Sequence, residues 1–268
     1  MLRGPITLTT DFGTTDHYVG TMKGVILNIS PRAKIVDITH EIAPQDINEA
    51  AFAIAQAWRY FPKGTIHVLV VDPGVGSARR AILCEAEGQF FIAPDNGVLS
   101  MIYDSSRHKV RVISNDKLIL KKVSNTFHGR DIFAPAAAHL LKGWVPARFG
   151  KLIRDPVRNF LLKPARLSRH DWSGVVLKAD RFGNLITNFH IDEFPDLADH
   201  PIELRAGLER ITRLASTYAE TVIGELFAII GSSGYLEVVV NQGSAAKLLG
   251  IASGSPVELE VFYDGVRS

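Results

Sequence analysis

The stretch Val70-Val71-Asp72-Pro73-Gly74-Val75-Gly76-Ser77-Ala78-Arg79-Arg80 joins an apolar segment to a glycine-rich turn. Residues 65–71 are predicted to form a buried strand, because the segment is short, rich in β-branched residues and followed at once by proline and glycine. Asp72 then lies at the carboxyl end of the strand, where ligands bind in open α/β sheets. The turn brings Arg79 and Arg80 towards the same space. The alternative for such a turn is a surface loop with solvated charges.

The composition is that of an ordinary globular protein. The chain has 268 residues, of which 46% are hydrophobic and 22% charged, so disorder throughout is excluded and two domains are favoured over one. A net charge of +2 without a run of basic residues gives no electrostatic surface for nucleic acid. Cys84 is the only cysteine, which excludes an internal disulfide and a cysteine-based metal site.

The sequence does not indicate a targeting segment or a membrane span. Residues 1–10 lack a charged leader followed by a long apolar run, and no window reaches the ~18 uninterrupted apolar residues that a span requires. We therefore expect a soluble, cytoplasmic protein without a membrane or nucleic-acid partner.

Strand and helix patterns alternate over the first 160 residues, which predicts an α/β domain at 1–160 with a largely parallel, mixed sheet flanked by helices. Either Asp95 or Asn96 is expected to cap the short helix that ends at Tyr103. Strands are predicted at residues 6–10, 35–39, 65–71, 81–86, 90–93, 110–114 and 118–122.

The second part of the chain has a different pattern. Residues 161–172 lack periodicity and are predicted to be a linker. Residues 173–268 consist of short apolar segments separated by glycine-bearing turns, and only 245–249 has a helical pattern. This pattern predicts an all-β, barrel-like domain.

Polar residues stand at several predicted strand and helix ends. Asp11 follows the first strand, and His128 directly precedes a helix, where the helix dipole depresses the pKa of an imidazole. A lone histidine there is more often structural. The sequence has no P-loop, dinucleotide-binding glycine motif, serine-hydrolase elbow or HExxH motif, and no close His or Asp cluster that indicates a metal site.

Six motifs occur in order along nearly the whole chain. They are Thr10-Asp11-Phe12-Gly13 continuing through Asp16, Tyr18-Val19-Gly20 and Met22-Lys23-Gly24, then Asp72-Pro73-Gly74-Val75-Gly76, Pro94-Asp95-Asn96-Gly97, Phe127-His128-Gly129-Arg130-Asp131, Asp180-Arg181-Phe182-Gly183-Asn184 and Ser232-Ser233-Gly234-Tyr235. Together they resemble the S-adenosyl-L-methionine (SAM) hydroxide adenosyltransferase family, the SAM hydrolases, which are relatives of fluorinase and of SAM-dependent chlorinases.

The resemblance implies an amino-terminal α/β domain, a carboxyl-terminal β-barrel and a homotrimer whose active sites lie between the first domain of one subunit and the second domain of its neighbour. It also implies the reaction, in which water or hydroxide displaces L-methionine from the 5′ carbon of SAM. SAM is then the substrate, adenosine and L-methionine are the products, and neither a cofactor nor a metal is required.

The resemblance also implies a role for each matching residue. The catalytic residues would be Asp72, Arg79 and His128. Asp11 would grip the ribose hydroxyls, and Asp180 and Ser232 would hold the methionine amine and carboxylate. The adenine would be bound by Asn184, by backbone atoms near Asn241 and Gln242, and by packing against Phe182.

The choice between water and halide as nucleophile depends on two positions. The halogenating relatives have a tyrosine where this chain has Asp72, and they lack the histidine found here as His128. They also include fluorinase, which has a halide-contacting serine where this chain has Gly129. A carboxylate repels a halide but accepts a hydrogen bond from water, so the residues favour hydrolysis.

We expect Asp72 and His128 to orient and polarise the water, and Arg79 to stabilise developing hydroxide. Two alternatives predict different outcomes. A halide-using adenosyltransferase would form 5′-halo-adenosine, and a nucleoside- or SAM-binding module without turnover would have no use for a convergent Asp72, Arg79 and His128.

Overall fold

The strand that precedes Asp72 is the third strand of a seven-stranded sheet. The structure is a computed structural model that describes residues 4–263, and the chain separates into two units, the first ending at Asn159 and the second beginning at Phe160. The strands of the first unit are β1 (Ile6–Thr10), β2 (Ile35–Thr39), β3 (Ile66–Val70), β4 (Ala81–Ala86), β5 (Gln89–Pro94), β6 (His108–Val112) and β7 (Leu152–Ile153).

The first-unit sheet is mixed, as predicted, and its strand order is β2-β1-β3-β5-β4-β6-β7. The four strands β2, β1, β3 and β5 are parallel, with Ile6 of β1 opposite Ile66 of β3. The β4–β5, β4–β6 and β6–β7 pairs are antiparallel. Because the parallel strands end on the same edge, the turns after β1 and β3 lie side by side.

Helices cover both faces of this sheet. They are α1 (Tyr18–Ile29), α2 (Ile47–Ala57), α3 (Ser100–Ser105) and α4 (Ala134–Leu141). Side chains of β3 alternate between two cores, with Val68 packed in the core that includes α1 and α4, and Leu69 in the core that includes α2. Asp46 caps α2 by accepting a hydrogen bond from the Glu49 amide at 2.9 Å.

The second unit is a single curled sheet of nine strands, which agrees with the predicted all-β fold. Its strand order is β12-β11-β16-β9-β10-β15-β14-β13, and β8 pairs with β9 outside this path. The elements are β8 (Ala165–Arg166), β9 (Asp171–Ala179), β10 (Leu185–His190), β11 (Ile202–Ala206), β12 (Glu209–Ile211), β13 (Leu214–Ala215), β14 (Leu226–Ile230), β15 (Tyr235–Val240), α5 (Ala245–Leu249) and β16 (Pro256–Val261).

This sheet curls because its two edge strands follow each other in the chain. The two edge strands, β12 and β13, are separated by only two residues, 212 and 213, so the opposite edges of the sheet must approach each other. The concave face is filled by buried apolar side chains such as Phe189, Leu236 and Val238. The resulting half-barrel leaves its loops free to carry polar groups.

The predicted domain limits, 1–160 and 173–268 with a linker at 161–172, stay predictions. They extend over residues 1–3 and 264–268, which lie outside the described residues. Within the predicted linker, β8 pairs antiparallel with β9, with Ala165 opposite Ser173. In the part of the chain that the structure describes, no helix is long and apolar enough to cross a membrane.

Two local predictions are wrong. Residues 118–122 form no strand, because Leu118 is fully buried against the first-unit core and ends a short 3-10 turn, while β7 occupies the edge of the sheet beside β6. Neither Asp95 nor Asn96 caps a helix, since α3 begins at Ser100 and Leu99 occupies its N-cap position. The side chains of Asp95 and Asn96 form hydrogen bonds with Arg80 and Val71 instead.

A buried histidine crosses the middle of the sheet. His67 on β3 has its Nδ1 2.8 Å from the hydroxyl of Thr7 on β1, and its Nε2 2.7 Å from the amide oxygen of Gln89 on β5. The amide oxygen only accepts, so Nε2 carries the proton and Nδ1 accepts from Thr7. Burial lowers the pKa of His67 to about 4.

This low pKa predicts a specific pH dependence of stability. An unfolded chain takes up the His67 proton near the ordinary pKa of 6.5, whereas the folded chain resists it down to about 4. The free energy of unfolding should therefore fall on acidification through this window, by up to ~1.4 kcal/mol per pH unit from this one group. His67→Gln should be less stable at pH 7 but lose less stability between pH 7 and pH 5, measured by urea unfolding. An unchanged slope would contradict the assignment.

Candidate active site

The turn after β3 is held tightly by its own backbone. The Val75 amide donates to the Asp72 carbonyl at 3.1 Å, and the Ser77 amide donates to the Gly74 carbonyl at 3.1 Å. Gly76 has a positive φ of 78° and lies directly against the Asn125 carbonyl, so a side chain at this position would collide with it. Residues 71–80, which we call the catalytic turn, are thereby fixed against the loop that leads to His128.

Asp72, Arg79 and His128 form one hydrogen-bonded group. Arg79 binds the Asp72 carboxylate in a bidentate manner, with its Nε 2.9 Å from Oδ1 and its Nη2 bonded to Oδ2. The same Nη2 lies 2.6 Å from Nδ1 of His128. The side chains of Asp72 and Arg79 are only 5% and 9% exposed, so the ion pair is largely shielded from water. The structure thus brings the three predicted catalytic residues together.

This geometry fixes the state of His128. A guanidinium has no acceptor, so Nδ1 of His128 must accept the hydrogen bond and the ring proton resides on Nε2. Burial, reinforced by the positive charge of Arg79, lowers the pKa of His128 below its ordinary value. Carboxylates of Asp72 and Asp131 act in the opposite direction without cancelling the effect. His128 is therefore neutral at pH 7, with Nε2 as a donor.

The loop around His128 is built on a buried carboxylate. Asp131 is fully buried, accepts a hydrogen bond from the Ser124 amide at 2.8 Å and is paired with Arg130 at 2.6 Å. His128 directly precedes a π-helical turn, Gly129–Phe133, that continues into α4. Such turns often occur at functional sites. A side chain at Gly129 would press against Met22 and Val70.

Asp72 and His128 line a cleft of about 280 Å³ in the first unit, together with Asp11. Arg79 is not among the residues that line this cleft, because its guanidinium lies behind the Asp72 carboxylate and over the Phe133 ring at 5.2 Å. The remaining lining residues are Phe12, Pro44, Gln45, Val70, Pro73, Val75, Thr126, Phe127 and Gly129.

Asp11 is positioned by the loop that follows β2. Its Oδ2 accepts a hydrogen bond from the Gln45 amide at 2.9 Å, and Gln45 has a positive φ of 65°. The buried His40 holds the other side of the turn, since its carbonyl accepts from the Gly13 amide at 2.7 Å and its Nδ1 lies 2.8 Å from the Thr10 hydroxyl. The sequence analysis missed His40 because its partners are about 30 residues away.

In the second unit, Asp180 organises its own loop. Its Oδ1 accepts hydrogen bonds from the amides of Phe182 and Asn184 at 2.9 and 2.8 Å, and its Oδ2 accepts from Nδ2 of Asn184 at 3.0 Å. Asn184 is buried, whereas Phe182 is 77% exposed at the tip of the turn. The loop therefore exposes one aromatic ring and holds one buried amide side chain against Asp180.

Glu237 is a neighbour of Asp180 in the second unit that the sequence analysis missed. Its carboxyl group lies directly over Gly231, beside the predicted ligand-binding residue Ser232, where only glycine leaves room for it. Burial, together with the nearby charge of Asp180, raises the pKa of Glu237 to about 7. Tyr218 belongs to the same group, because it is hydrogen-bonded to Asn184 and its pKa is raised by burial and then by Glu237 and Asp180. We call Asp180, Asn184, Tyr218 and Glu237, together with the predicted residue Ser232 that follows Gly231 in the chain, the second-unit cluster.

The backbone of Asn241 is occupied by structural hydrogen bonds. Its amide donates to the Glu225 carbonyl at 3.1 Å and its carbonyl accepts from the Gly224 amide at 2.9 Å, while its side chain donates to the carbonyls of Tyr218 and Thr221. Gln242 follows with a positive φ of 55°. The adenine-binding roles of these two residues stay predictions, as do the ligand contacts of the other site residues.

Family models match both units of the chain. Residues 6–150 match the SAM hydroxide adenosyltransferase N-terminal domain, and residues 174–258 match the corresponding C-terminal domain. The chain belongs to the SAM hydroxide adenosyltransferase family. The resemblance stated from the six sequence motifs is therefore confirmed.

Relatives of this adenosyltransferase match over nearly their full length. A protein named (R)-S-adenosyl-L-methionine hydrolase from Thermus thermophilus is 36% identical, over 95% of this chain and 99% of its own. A fluorinase from an Actinoplanes species is 30% identical, over 94% of this chain and 96% of its own. The crystal structure of an uncharacterized conserved protein from Thermotoga maritima is 37% identical, with a TM-score of 0.85 over 95% of this chain and 99% of its own.

No metal centre accompanies these residues in the described part of the adenosyltransferase. Among residues 4–263, no group of three or more His, Cys, Asp or Glu side chains is arranged to hold a metal ion. The carboxylates of Asp72 and Asp180 are instead bonded to arginine, amide and backbone donors.

The raised pKa of Glu237 predicts a pH dependence opposite in sign to that of His67. An unfolded chain releases the Glu237 proton near pH 4.5, whereas the folded chain retains it up to about pH 7. The free energy of unfolding should therefore fall as the pH rises through this window. Glu237→Gln should remove this loss and be more stable than the parent chain at pH 8, measured by thermal unfolding at pH 5 and pH 8. Equal pH dependence in both proteins would contradict the assignment.

Proposed function

We propose that this protein hydrolyses SAM to adenosine and L-methionine by attack of water at the ribose 5′ carbon. The observation that carries the proposal is the group formed by Asp72, Arg79 and His128, of which Asp72 and His128 line the cleft shared with Asp11. Names of four relatives at 34–36% identity agree with the reaction.

In the proposed mechanism, Asp72 is a proton acceptor, His128 a hydrogen-bond donor and Arg79 a source of positive charge. The Asp72 carboxylate keeps lone pairs free beyond those used by Arg79 and accepts a proton of the attacking water. Neutral His128 donates a hydrogen bond from Nε2 to the water oxygen. Together with the contact to Asp72, this bond fixes the orientation of the water. Arg79, behind Asp72, orients both groups and supplies positive charge near the developing hydroxide.

The bonds and charges of the reaction balance without a cofactor. A lone pair of the water oxygen forms the new bond to the 5′ carbon, and the carbon–sulfur bond breaks with its electron pair going to sulfur. The sulfonium thereby becomes the neutral thioether of methionine. A water proton passes to Asp72 and then to solvent, which restores the carboxylate. A sulfonium is already an activated leaving group, so alignment of the water is the main task of the site.

Hydrogen bonding in the cleft favours water over halide. The Asp72 carboxylate keeps lone pairs that accept a hydrogen bond from water, whereas a halide has no proton to donate to them. The proposal therefore departs from the chemistry named for the fluorinase relatives.

The second-unit cluster supplies the complementary charge for the amino-acid part of SAM. Asp180 and Glu237 are two acidic groups within electrostatic reach of each other, and Glu237 lies against Gly231, which precedes Ser232 in the chain. A positively charged ammonium group relieves the repulsion between two carboxylates. We assign Asp180, Ser232 and Glu237 to the methionine moiety, and Asn184 and Phe182 to the adenine as the family resemblance implies.

The proposal includes a homotrimer in the cytoplasm that needs no cofactor besides its substrate. Exposed apolar side chains are candidates for contacts between subunits, because their burial there would remove apolar surface from water. In the second unit they include Phe182, Val222, Ile223 and Leu248, exposed by 77, 71, 72 and 61%. The free, buried Cys84 is compatible with a reducing compartment.

The decisive test is the origin of the oxygen in the product. Purified protein is incubated with SAM in isotopically heavy water, with and without chloride, and the nucleoside is analysed by mass spectrometry. Adenosine with the heavy oxygen at its 5′ position is expected under both conditions. Detection of chlorinated adenosine would contradict hydrolysis and indicate halide transfer, and recovery of intact SAM would indicate a binding module.

Removal of the acceptor should separate catalysis from binding. Asp72→Ala is expected to lower kcat by at least about 100-fold, because the water loses its proton acceptor, while SAM still binds. Turnover and SAM affinity are measured in parallel by product formation and calorimetry. Asp104→Asn is the matched control, since Asp104 forms a surface ion pair with Arg158 at 2.7 Å in the same unit. Unchanged turnover of Asp72→Ala would refute the role of Asp72.

A further inference from the structure

The motif Pro94-Asp95-Asn96-Gly97 has no role in the proposed reaction, although it lies beside the catalytic turn. We propose that Asp95 and Asn96 are positioning residues that hold the two ends of the catalytic turn at a fixed separation, and thereby set the geometry of Asp72, Arg79 and His128. The inference rests on the proposed function for its kinetic consequences. Its geometric basis is independent of the substrate.

Asn96 holds the first end of the turn. Its Nδ2 donates to the Val71 carbonyl at 2.9 Å, which is the peptide group immediately before Asp72. Its Oδ1 accepts from the Val98 amide at 3.2 Å, so both ends of the Asn96 amide are fixed. The direction in which β3 delivers the Asp72 side chain therefore depends on this contact.

Asp95 holds the second end. The side chain, only 1% exposed, accepts from Nε of Arg80 at 2.7 Å and forms an ion pair with Nη2 of Arg80 at 2.6 Å. The Asp95 amide also donates to the Arg80 carbonyl at 2.9 Å. The remaining oxygen of Asp95 accepts from the Val157 amide at 2.9 Å. Arg80 is the residue immediately after Arg79, so its main chain cannot move without moving Arg79.

The two contacts act as one clamp because they come from consecutive residues. Asp95 and Asn96 are joined by a single peptide bond at the end of β5, the strand that pairs with both β3 and β4. The turn leaves from β3 and returns to β4, so the clamp bridges its entry and its exit. Nη1 of Arg79 also reaches the Arg80 carbonyl at 3.5 Å, which links the clamp to the guanidinium itself.

A purely structural role predicts a different outcome from a positioning role. A buried ion pair can stabilise the fold without affecting catalysis, in which case its loss lowers the melting temperature only. A positioning role requires that Arg79 or Asp72 shifts, and small misplacements of reacting groups cost large factors in rate. The two cases are separated by kcat at a temperature well below unfolding.

The kinetic test uses Asp95→Asn, Asn96→Ala and a matched control. Asp95→Asn keeps the size of the side chain but removes its charge and replaces one of its two acceptor oxygens with an NH2 donor, so that it cannot accept from both Arg80 and Val157. Asn96→Ala removes the contact to Val71. The control is Asp155→Asn, because Asp155 also binds Arg80, at 3.0 Å, but is 78% exposed. Both clamp variants are expected to lower kcat by roughly 10- to 100-fold with KM and adenosine affinity unchanged, and the control is expected to retain wild-type kcat.

A spectroscopic test does not depend on turnover. Nitrogen NMR of the isotopically labelled His128 ring reports which nitrogen carries the proton. The wild-type chain should show protonated Nε2, because Nδ1 accepts from Arg79, and both clamp variants should show a mixture of the two tautomers as that contact loosens.

The outcomes separate the clamp from the proposed function. Wild-type kcat together with a wild-type His128 spectrum in both variants would overturn the clamp. A parallel loss of kcat and adenosine affinity would also overturn it, since the whole cleft would then be disturbed. Failure of the wild-type chain to convert SAM would refute the proposed function, and the His128 spectrum would still decide the clamp.

Discussion

A buried guanidinium at the end of a parallel strand determines the chemistry available to this protein. Arg79 remains charged at any relevant pH, and three of its N–H groups are directed at Asp72 and His128. Arg79 thereby fixes the orientation of the Asp72 carboxyl group and places the ring proton of His128 on Nε2. The close contact of Gly76 with Asn125 and the buried Asp131 both serve this arrangement, because they hold the turn and the histidine loop in register.

The fold class follows from local sequence signals that agree with one another. The strands predicted at residues 6–10, 35–39 and 65–71 are observed as β1, β2 and β3, of which only β3 is shorter than predicted, by one residue at each end. The wrong strand at 118–122 has a physical explanation. An apolar segment indicates burial but not its partner, and Leu118 is buried against a helix rather than paired in a sheet.

The residues of the candidate sites also include some that local sequence signals indicated and some that they did not. Asp11, Asp72 and His128 could be proposed because strand ends and helix starts are visible in the sequence, and the structure places all three on one cleft. Glu237 could not, because it alternates with Leu236 and Val238 as any outward-facing strand residue does. Its raised pKa arises from burial and then from the charge of Asp180, 57 residues earlier in the chain. Its carboxyl group also occupies space that only a glycine at position 231 leaves open. The roles of Asp95 and Asn96 were hidden for the same reason, since their contacts are with distant turns.

The pairing of Asp72 with Arg79 also suits a cationic substrate. An unpaired carboxylate beside a sulfonium would stabilise the ground state, and that stabilisation would be lost as the carbon–sulfur bond breaks and the positive charge disappears from sulfur. In the proposed reaction, Arg79 balances Asp72 and His128 is neutral, so the three groups carry no net charge towards the reacting carbon. The carboxylate can then accept a water proton without stabilising the cationic ground state of the substrate. Strong attraction for the substrate is better placed away from the reacting carbon, and the acidic pair Asp180 and Glu237 has the charge to provide it.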